Sequence, residues 1–335
     1  MYSSYSSLAL AAIIAIRGVA GLEIPANVAA FRDSITKAGE CSNKLASGLF
    51  ASEEGTGTFS YCGDHLVDSK IVYLQGTGGA LADMSIDCDG VQKGAGDDGR
   101  CGSSTDTQSQ TSFQSQVNTF DPSVKDLNAF VHPYVVFGNV GSKEGFTNFD
   151  PTSAGIEPLS LMAVVCGDQM FYGIWGDENG DDGPKAVIGE ASISLATLCF
   201  GTSITGNSGH GETDVLYIAF TGTDAAPGQN AKWNAGSVGE FSESIKSLGD
   251  TLVQRIGGGG VSSAERSKPT EAVKDVVVPT TLSTVIAKAT EEPAVAGGAD
   301  ACEWVGHCAG ASCSGMDDCD GELVCVSGKC GAGKR

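Results

Sequence analysis

Basic residues are scarce in this chain of 335 residues: 20 Lys and Arg stand against 41 Asp and Glu, a formal charge of −21. That balance disfavours nucleic acid and anionic membrane surfaces as partners and favours a polycation, which an acidic cleft would concentrate. Long apolar runs are missing too. The run at residues 8–16 is too short to span a bilayer, and the small residues after it make 1–21 a signal peptide, although no Lys or Arg precedes it. No later run could be a transmembrane helix, so the mature protein is expected to be secreted and extracellular. Several catalytic signatures are absent: there is no Gly-x-Ser-x-Gly elbow and no phosphate-binding loop, and Gly76, Gly78 and Gly79 do not form a dinucleotide fingerprint. The four histidines, His65, His132, His210 and His307, occur singly and are expected in loops or the core, not in a triad or a metal site. No Asn-x-Ser/Thr sequon occurs, which excludes N-glycosylation.

Cysteine, by contrast, is plentiful. Cys41, Cys62, Cys88, Cys101, Cys166 and Cys199 are spread through the main body, while Cys302, Cys308, Cys313, Cys319, Cys325 and Cys330 crowd the end. Two even groups without a CxxC pair predict two disulfide frameworks and no zinc site. Spacing leaves all fifteen pairings of each group open.

The pattern of the chain is mostly that of short strands. Residues 24–37 carry Val28, Phe31 and Ile35 at helical spacing behind Pro25. From about 69 to 220, short apolar or alternating runs (71–74, 81–88, 131–137, 159–166, 170–175, 186–195 and 215–220) are separated by Gly, Asp and Asn. Ser237 and Glu240 form a capping box ahead of a last amphipathic helix with Phe241, Ile245, Leu248, Leu252 and Ile256. The fold class expected is mainly β: a barrel-like or sandwich catalytic domain with peripheral helices, plus a small disulfide-rich C-terminal module. The domains are expected at 1–21 (signal peptide), 22–256 (catalytic domain), 257–300 (a linker rich in Ser, Thr, Pro and Ala) and 301–335 (a six-cysteine module).

Residues 171–200 carry the chemistry. Two strand-like runs flank a loop dense in carboxylates, Asp177, Glu178, Asp181 and Asp182, and Glu190 sits in the second run among Ile188, Ala191 and Ile193. Glycosidic cleavage needs two carboxyls in environments that keep one protonated and the other ionised. Desolvation suits Glu190 to the acid role and leaves Asp177 as the base; repulsion from Glu178, Asp181 and Asp182 leaves the reverse assignment open. Alternation places Trp175 on the face of Asp177, as a sugar-stacking surface. In 81–90 the same alternation puts Asp83, Asp87 and Asp89 on one face, where a cationic sugar chain or a metal ion would relieve their repulsion. The loop does not fit a calcium-binding EF-hand: its sixth position is Asp182, not Gly, and its twelfth is Ile188.

Several stretches resemble the fungal-type chitosanases of glycoside hydrolase family 75. They are YCGDH at 61–65, GGALADMSIDCDG at 78–90, HPYVVFGN at 132–139, FYGIWGDENGDDG at 171–183 and GEASISLATLCF at 189–200. The resemblance covers roughly 41–220. It implies endo-hydrolysis of the β-1,4 bonds of chitosan with inversion, no cofactor and no metal. The family's essential Glu falls on Glu190 in its GEAS motif, and its essential Asp on Asp177 in its GDxNGDDG motif, where Asp181 competes as an alternative catalytic or substrate-binding residue. Inversion implies carboxyls about 6.5–9.5 Å apart. The polyamine substrate would give the net charge a purpose and make Asp83, Asp87 and Asp89 subsites for its ammonium groups. The cysteine spacing of the tail matches neither a four-cysteine cellulose-binding module nor an eight-cysteine hevein-like one, and its acidity suggests chitosan or cell-wall glycan as a ligand. A monomer is expected. Two rivals stand beside this reading: a non-catalytic secreted glycan-binding cell-wall protein, and a calcium-stabilised hydrolase of neutral glucans.

Overall fold

The structure is a computed structural model that describes residues 21–52, 55–102, 104, 107–181 and 183–257, and the backbone of 323–326 and 329–332. The signal-peptide run, nearly all of the linker and most of the six-cysteine module lie outside the described residues. The chain divides into two compact units, Met1–Lys268 and Pro269–Arg335. In the second, Leu323–Val326 and Lys329–Ala332 form an antiparallel hairpin that sets Cys325 opposite Cys330.

The first unit begins with β1 (Leu22–Glu23), α1 (Ala26–Ala38), β2 (Lys44–Leu49), β3 (Phe59–Cys62), β4 (Ile71–Gly76) and β5 (Ala82–Asp87). It continues through α2 (Gln114–Phe120), β6 (Tyr134–Asn139), β7 (Leu161–Cys166) and β8 (Gln169–Asn179). The last elements are β9 (Glu190–Ser192), α3 (Ile193–Phe200), β10 (His210–Phe220) and α4 (Val238–Leu252). Helix α1 buries Val28, Phe31 and Ile35, as its period predicts. Helix α4 starts at the expected cap: Ser237 Oγ accepts from the Glu240 amide, and Phe241, Ile245 and Leu252 face inward. One predicted strand is corrected. In 186–195 only Glu190–Ser192 is strand, because Ser192 caps a helix by accepting from the Leu195 amide, and Ile193 and Leu195 enter the core from α3.

The pairings close on themselves. Strand β8 pairs with β6, β6 with β9, β9 with β5, β5 with β10, β10 with β7, and β7 with β8 again, a closed six-stranded wall. The barrel-like alternative is therefore the one realised, and closure leaves its strands no bare edges. Beyond β10, strands β4, β3 and β2 extend the sheet as an antiparallel flap. Strand β7 is buried along its whole length, and β8 from Met170 to Asp177, where an apolar run meets packed neighbours on both faces. The six body cysteines pair in chain order, Cys41–Cys62, Cys88–Cys101 and Cys166–Cys199. The second of these ties down the chain that leaves β5.

Candidate active site

Strand β9 is three residues long, yet it is clamped on both edges. Its partner on one side is β5, with Ser85 opposite Glu190, and on the other β6, with Val136 opposite Glu190. Val136 also faces Asp177 of β8 on its far edge. Glu190 and Asp177 therefore flank one valine in a single row, two strand spacings or roughly 10 Å apart at the backbone. Strand β8 runs on to Asn179 and so holds Asp177, with the first residues of the acidic stretch, on a strand.

The carboxyl of Asp177 is 5% exposed. Its Oδ1 accepts from the Ser112 amide (2.9 Å), the Ser112 hydroxyl (2.5 Å) and the Glu178 amide (2.8 Å). Burial raises its proton affinity above the ordinary carboxylate range, and these three donors oppose the rise. Asp87 and Asp89 converge on it: one carboxylate oxygen from each of the three lies within 4.8 Å of the others. On a flat sheet β5 and β8, with β9 and β6 between them, would stand roughly 14 Å apart, so the curved, closed wall brings these groups together. Burial first, then the negative charges of Glu190, Asp177 and Asp89, push the Asp87 carboxyl well above the usual range. The site is thus a buried knot of acids. Tyr134 hands its hydroxyl hydrogen bond to the Asp89 carbonyl (3.2 Å) at its floor.

An open cleft of about 610 Å³ has Glu190, Asp83, Ser85, Asn179, Lys185 and His210 in its wall. Asp177 does not line this cleft; it is buried, with Ser112 as a hydrogen-bond partner. Burial pushes the Asp83 carboxyl up to about 7, with the charge of His210 acting against that shift. Glu178, next to Asp177, also rises to about 7 through burial and then the charges of Asp150 and Asp177.

Two expectations need correction. Trp175 is fully buried, its indole N–H donates to the Asp177 carbonyl (3.0 Å), and its ring packs edge-on against Phe113. A ring with no exposed face offers none to a sugar. The cause is a register irregularity at Gly176: Trp175 pairs with Val135 and Asp177 with the next residue, Val136, so strict alternation fails there. Asp87 and Asp89 do not form an open row with Asp83. Strand β5 ends at Asp87, the Asp89 amide turns back to donate to Asp87 Oδ1 (2.6 Å), and Asp89 Oδ1 takes the Gln108 amide (2.6 Å). Asp181 lies just past the end of β8. Its Oδ2 accepts from the amides of Ser142 (2.5 Å) and Lys143 (2.8 Å), which hold its carboxyl below the ordinary range. These bonds tie it to the neighbouring loop. Ser112 and Tyr134 carried no sequence signal, since isolated hydroxyls in polar or apolar runs have no spacing to betray them.

Residues 84–255 match the model of the fungal chitosanases of glycosyl hydrolase group 75. An endo-chitosanase of Aspergillus oryzae is 43% identical over 246 residues, which cover 73% of this chain and 96% of that one. An endo-chitosanase of Aspergillus fumigatus is 44% identical over 240 residues, 71% of this chain and 93% of its own. Endo-chitosanase B of Aspergillus oryzae is 39% identical over 244 residues, 72% and 95% of the two chains.

Proposed function

This chain belongs to the fungal chitosanases of glycosyl hydrolase group 75 and is a glycoside hydrolase, and we propose that it is a secreted endo-chitosanase acting by inversion. Glu190 gives a proton to the glycosidic oxygen, and Asp177 takes one from the attacking water. The observation that carries this reading is the shared row: Glu190 and Asp177 stand on either side of Val136, one on the open cleft and the other buried. Backbones roughly 10 Å apart give carboxyls room for an intervening water, the requirement of an inverting site.

The roles follow from what surrounds each group. Three donors on Asp177 Oδ1 favour its ionised form, which suits a base. Glu190 borders the cleft in which the leaving oxygen would lie. The chain's surplus of acids, 41 against 20 basic residues, draws in a polyamine and speeds encounter. Secretion is supported by three disulfides, which oxidising compartments permit. Among the described residues no helix is long and apolar enough to cross a membrane.

The test is release of reducing ends from soluble chitosan by the purified protein, with product anomers followed by NMR. Asp177→Asn and Glu190→Gln are each expected to lose roughly 10²- to 10⁴-fold in kcat without unfolding, the usual worth of a positioned acid or base. The wild type should release the inverted anomer first. Full activity in Glu190→Gln would remove the mechanism.

A further inference from the structure

With Trp175 buried, the C–H face of a sugar in the cleft needs another surface to rest on. Among the described residues that line the cleft, His210 alone carries a planar ring, and the glycines on either side of it, Gly209 and Gly211, line the cleft too. His210 opens β10 and pairs with Met84 of β5, whose other edge sets Ser85 opposite Glu190. The backbones of His210 and Glu190 are therefore two strand spacings apart, roughly 10 Å, within the span of one bound oligosaccharide.

The surroundings of the ring fix its plane. Phe200 stacks on one face, with centroids 3.9 Å apart and planes 11° from parallel. Phe200 ends α3 beside Cys199, whose disulfide to Cys166 ties that end to β7. At the ring edge, Nε2 meets Asp214 Oδ1 at 2.7 Å and Nδ1 meets Glu212 Oε2 at 3.3 Å. Four residues of straight strand would carry Asp214 roughly 13 Å away. The contact forms because the pairing of β10 with β5 breaks between His210 and Val215, so the chain bulges. With one face covered and both nitrogens committed, the 19% of the side chain that stays exposed belongs to the face turned from Phe200. The backbone beside it is bare. A Cβ at Gly211 would meet nothing within 4 Å, which leaves open space next to the ring, and one at Gly209 would stand 2.2 Å from the Met84 carbonyl oxygen. In β-1,4-linked glucosamine the ring substituents are all equatorial, so each sugar offers C–H groups on both faces. A flat ring already locked in place meets such a face with little further loss of side-chain freedom.

We propose that the face of His210 turned from Phe200 is the platform on which a sugar ring of the bound chitosan chain rests. This inference rests on the chitosan reading above.

The experiment compares wild type, His210→Ala, His210→Phe and His210→Gln in the full chain on a glucosamine hexamer, with thermal unfolding as the control for folding. Phe keeps the flat ring without the nitrogens, and Gln keeps a polar group without the ring. Loss of the ring removes a contact made before and during the chemistry, so Ala and Gln should raise KM roughly three- to tenfold with kcat within about twofold. Phe should stay within about twofold of wild type in both. As a second readout, the hexamer is titrated into Glu190→Gln, and the ring-proton NMR signals that His210→Phe removes should shift, while those of the other three histidines stay in place. A wild-type KM in Ala and Gln, a Phe variant as weak as Ala, or His210 signals that do not move at saturating hexamer would overturn the platform while leaving the enzyme active. A wild type inactive on chitosan would instead overturn the parent reading.

Discussion

Ser112→Ala tests how the buried aspartate is kept ready to accept a proton. Ser112 gives Asp177 Oδ1 two donors, its amide and its hydroxyl, and the substitution removes only the hydroxyl at 2.5 Å. The amides of Ser112 and Glu178 remain. A hydrogen bond to a charged group contributes about 1.5–3 kcal/mol. Ser112 is itself exposed, so water can replace part of the lost donation, which sets the expectation at the lower end. About 1.5 kcal/mol corresponds to roughly a tenfold gain in the proton affinity of Asp177. The sign follows from its role: the base must be ionised in the free enzyme, so the acid limb of kcat/KM moves to higher pH. Activity on the plateau should stay within a few-fold, because the carboxylate itself is intact. The assay is kcat/KM on soluble chitosan from about pH 3 to 8, with thermal unfolding as the control for folding. An acid limb that stays in place, or moves to lower pH, would refute Asp177 as a base tuned by Ser112.

Other changes separate structural from chemical roles. Trp175→Ala should cost about 3–5 kcal/mol of stability, measured by denaturant unfolding, because the ring is fully buried; an unfolding midpoint equal to wild type would restore the sugar-stacking role. Asp181→Asn should keep kcat within about twofold while loosening the loop at Ser142 and Lys143, seen as faster amide exchange there; loss of activity comparable to Asp177→Asn would make Asp181 the catalytic partner. Stability should also depend on pH. The carboxyls of Asp83 and Glu178 both rise to about 7 in the folded protein, so the fold favours their protonated forms. Their contribution is fully present below the ordinary carboxylate range near pH 4 and is lost as pH rises through about 7. The melting temperature should therefore fall between about pH 5 and pH 8, and Asp83→Asn should flatten that fall. An unchanged slope in the variant would sink this assignment.

The parts of the fold written in local pattern were legible. The period of Val28, Phe31 and Ile35 gave α1, and the Ser237–Glu240 box gave the start of α4. Glu190 stood out because a carboxyl inside an apolar run has few structural uses, whereas Asp177 was one of several acids in its stretch. What failed was long-range. Nothing local says that β9 slots between β5 and β6, or that β6 then separates it from β8, and only that order places the two acids in one row. The collapse of Asp87, Asp89 and Asp177 into one buried group has the same origin, since it needs the wall to close.

The error over Trp175 shows where the pattern carried more than was taken from it. A glycine inside a strand marks a bulge or a close backbone approach, and Gly176 is both. A Cβ at that position would stand 2.5 Å from Tyr134 Cβ and 2.8 Å from Leu127 Cδ1, so β6 can lie against β8 there only over a bare backbone. The same residue absorbs the extra position between the Trp175–Val135 and Asp177–Val136 pairs. Without it, alternation would run on unbroken, and Trp175 and Asp177 would share a face. With it, the indole turns into the core and anchors the Asp177 carbonyl, while the carboxyl turns to the row of Glu190. One glycine thus divides the work of two neighbouring residues, the first holding the strand and the second facing the chemistry.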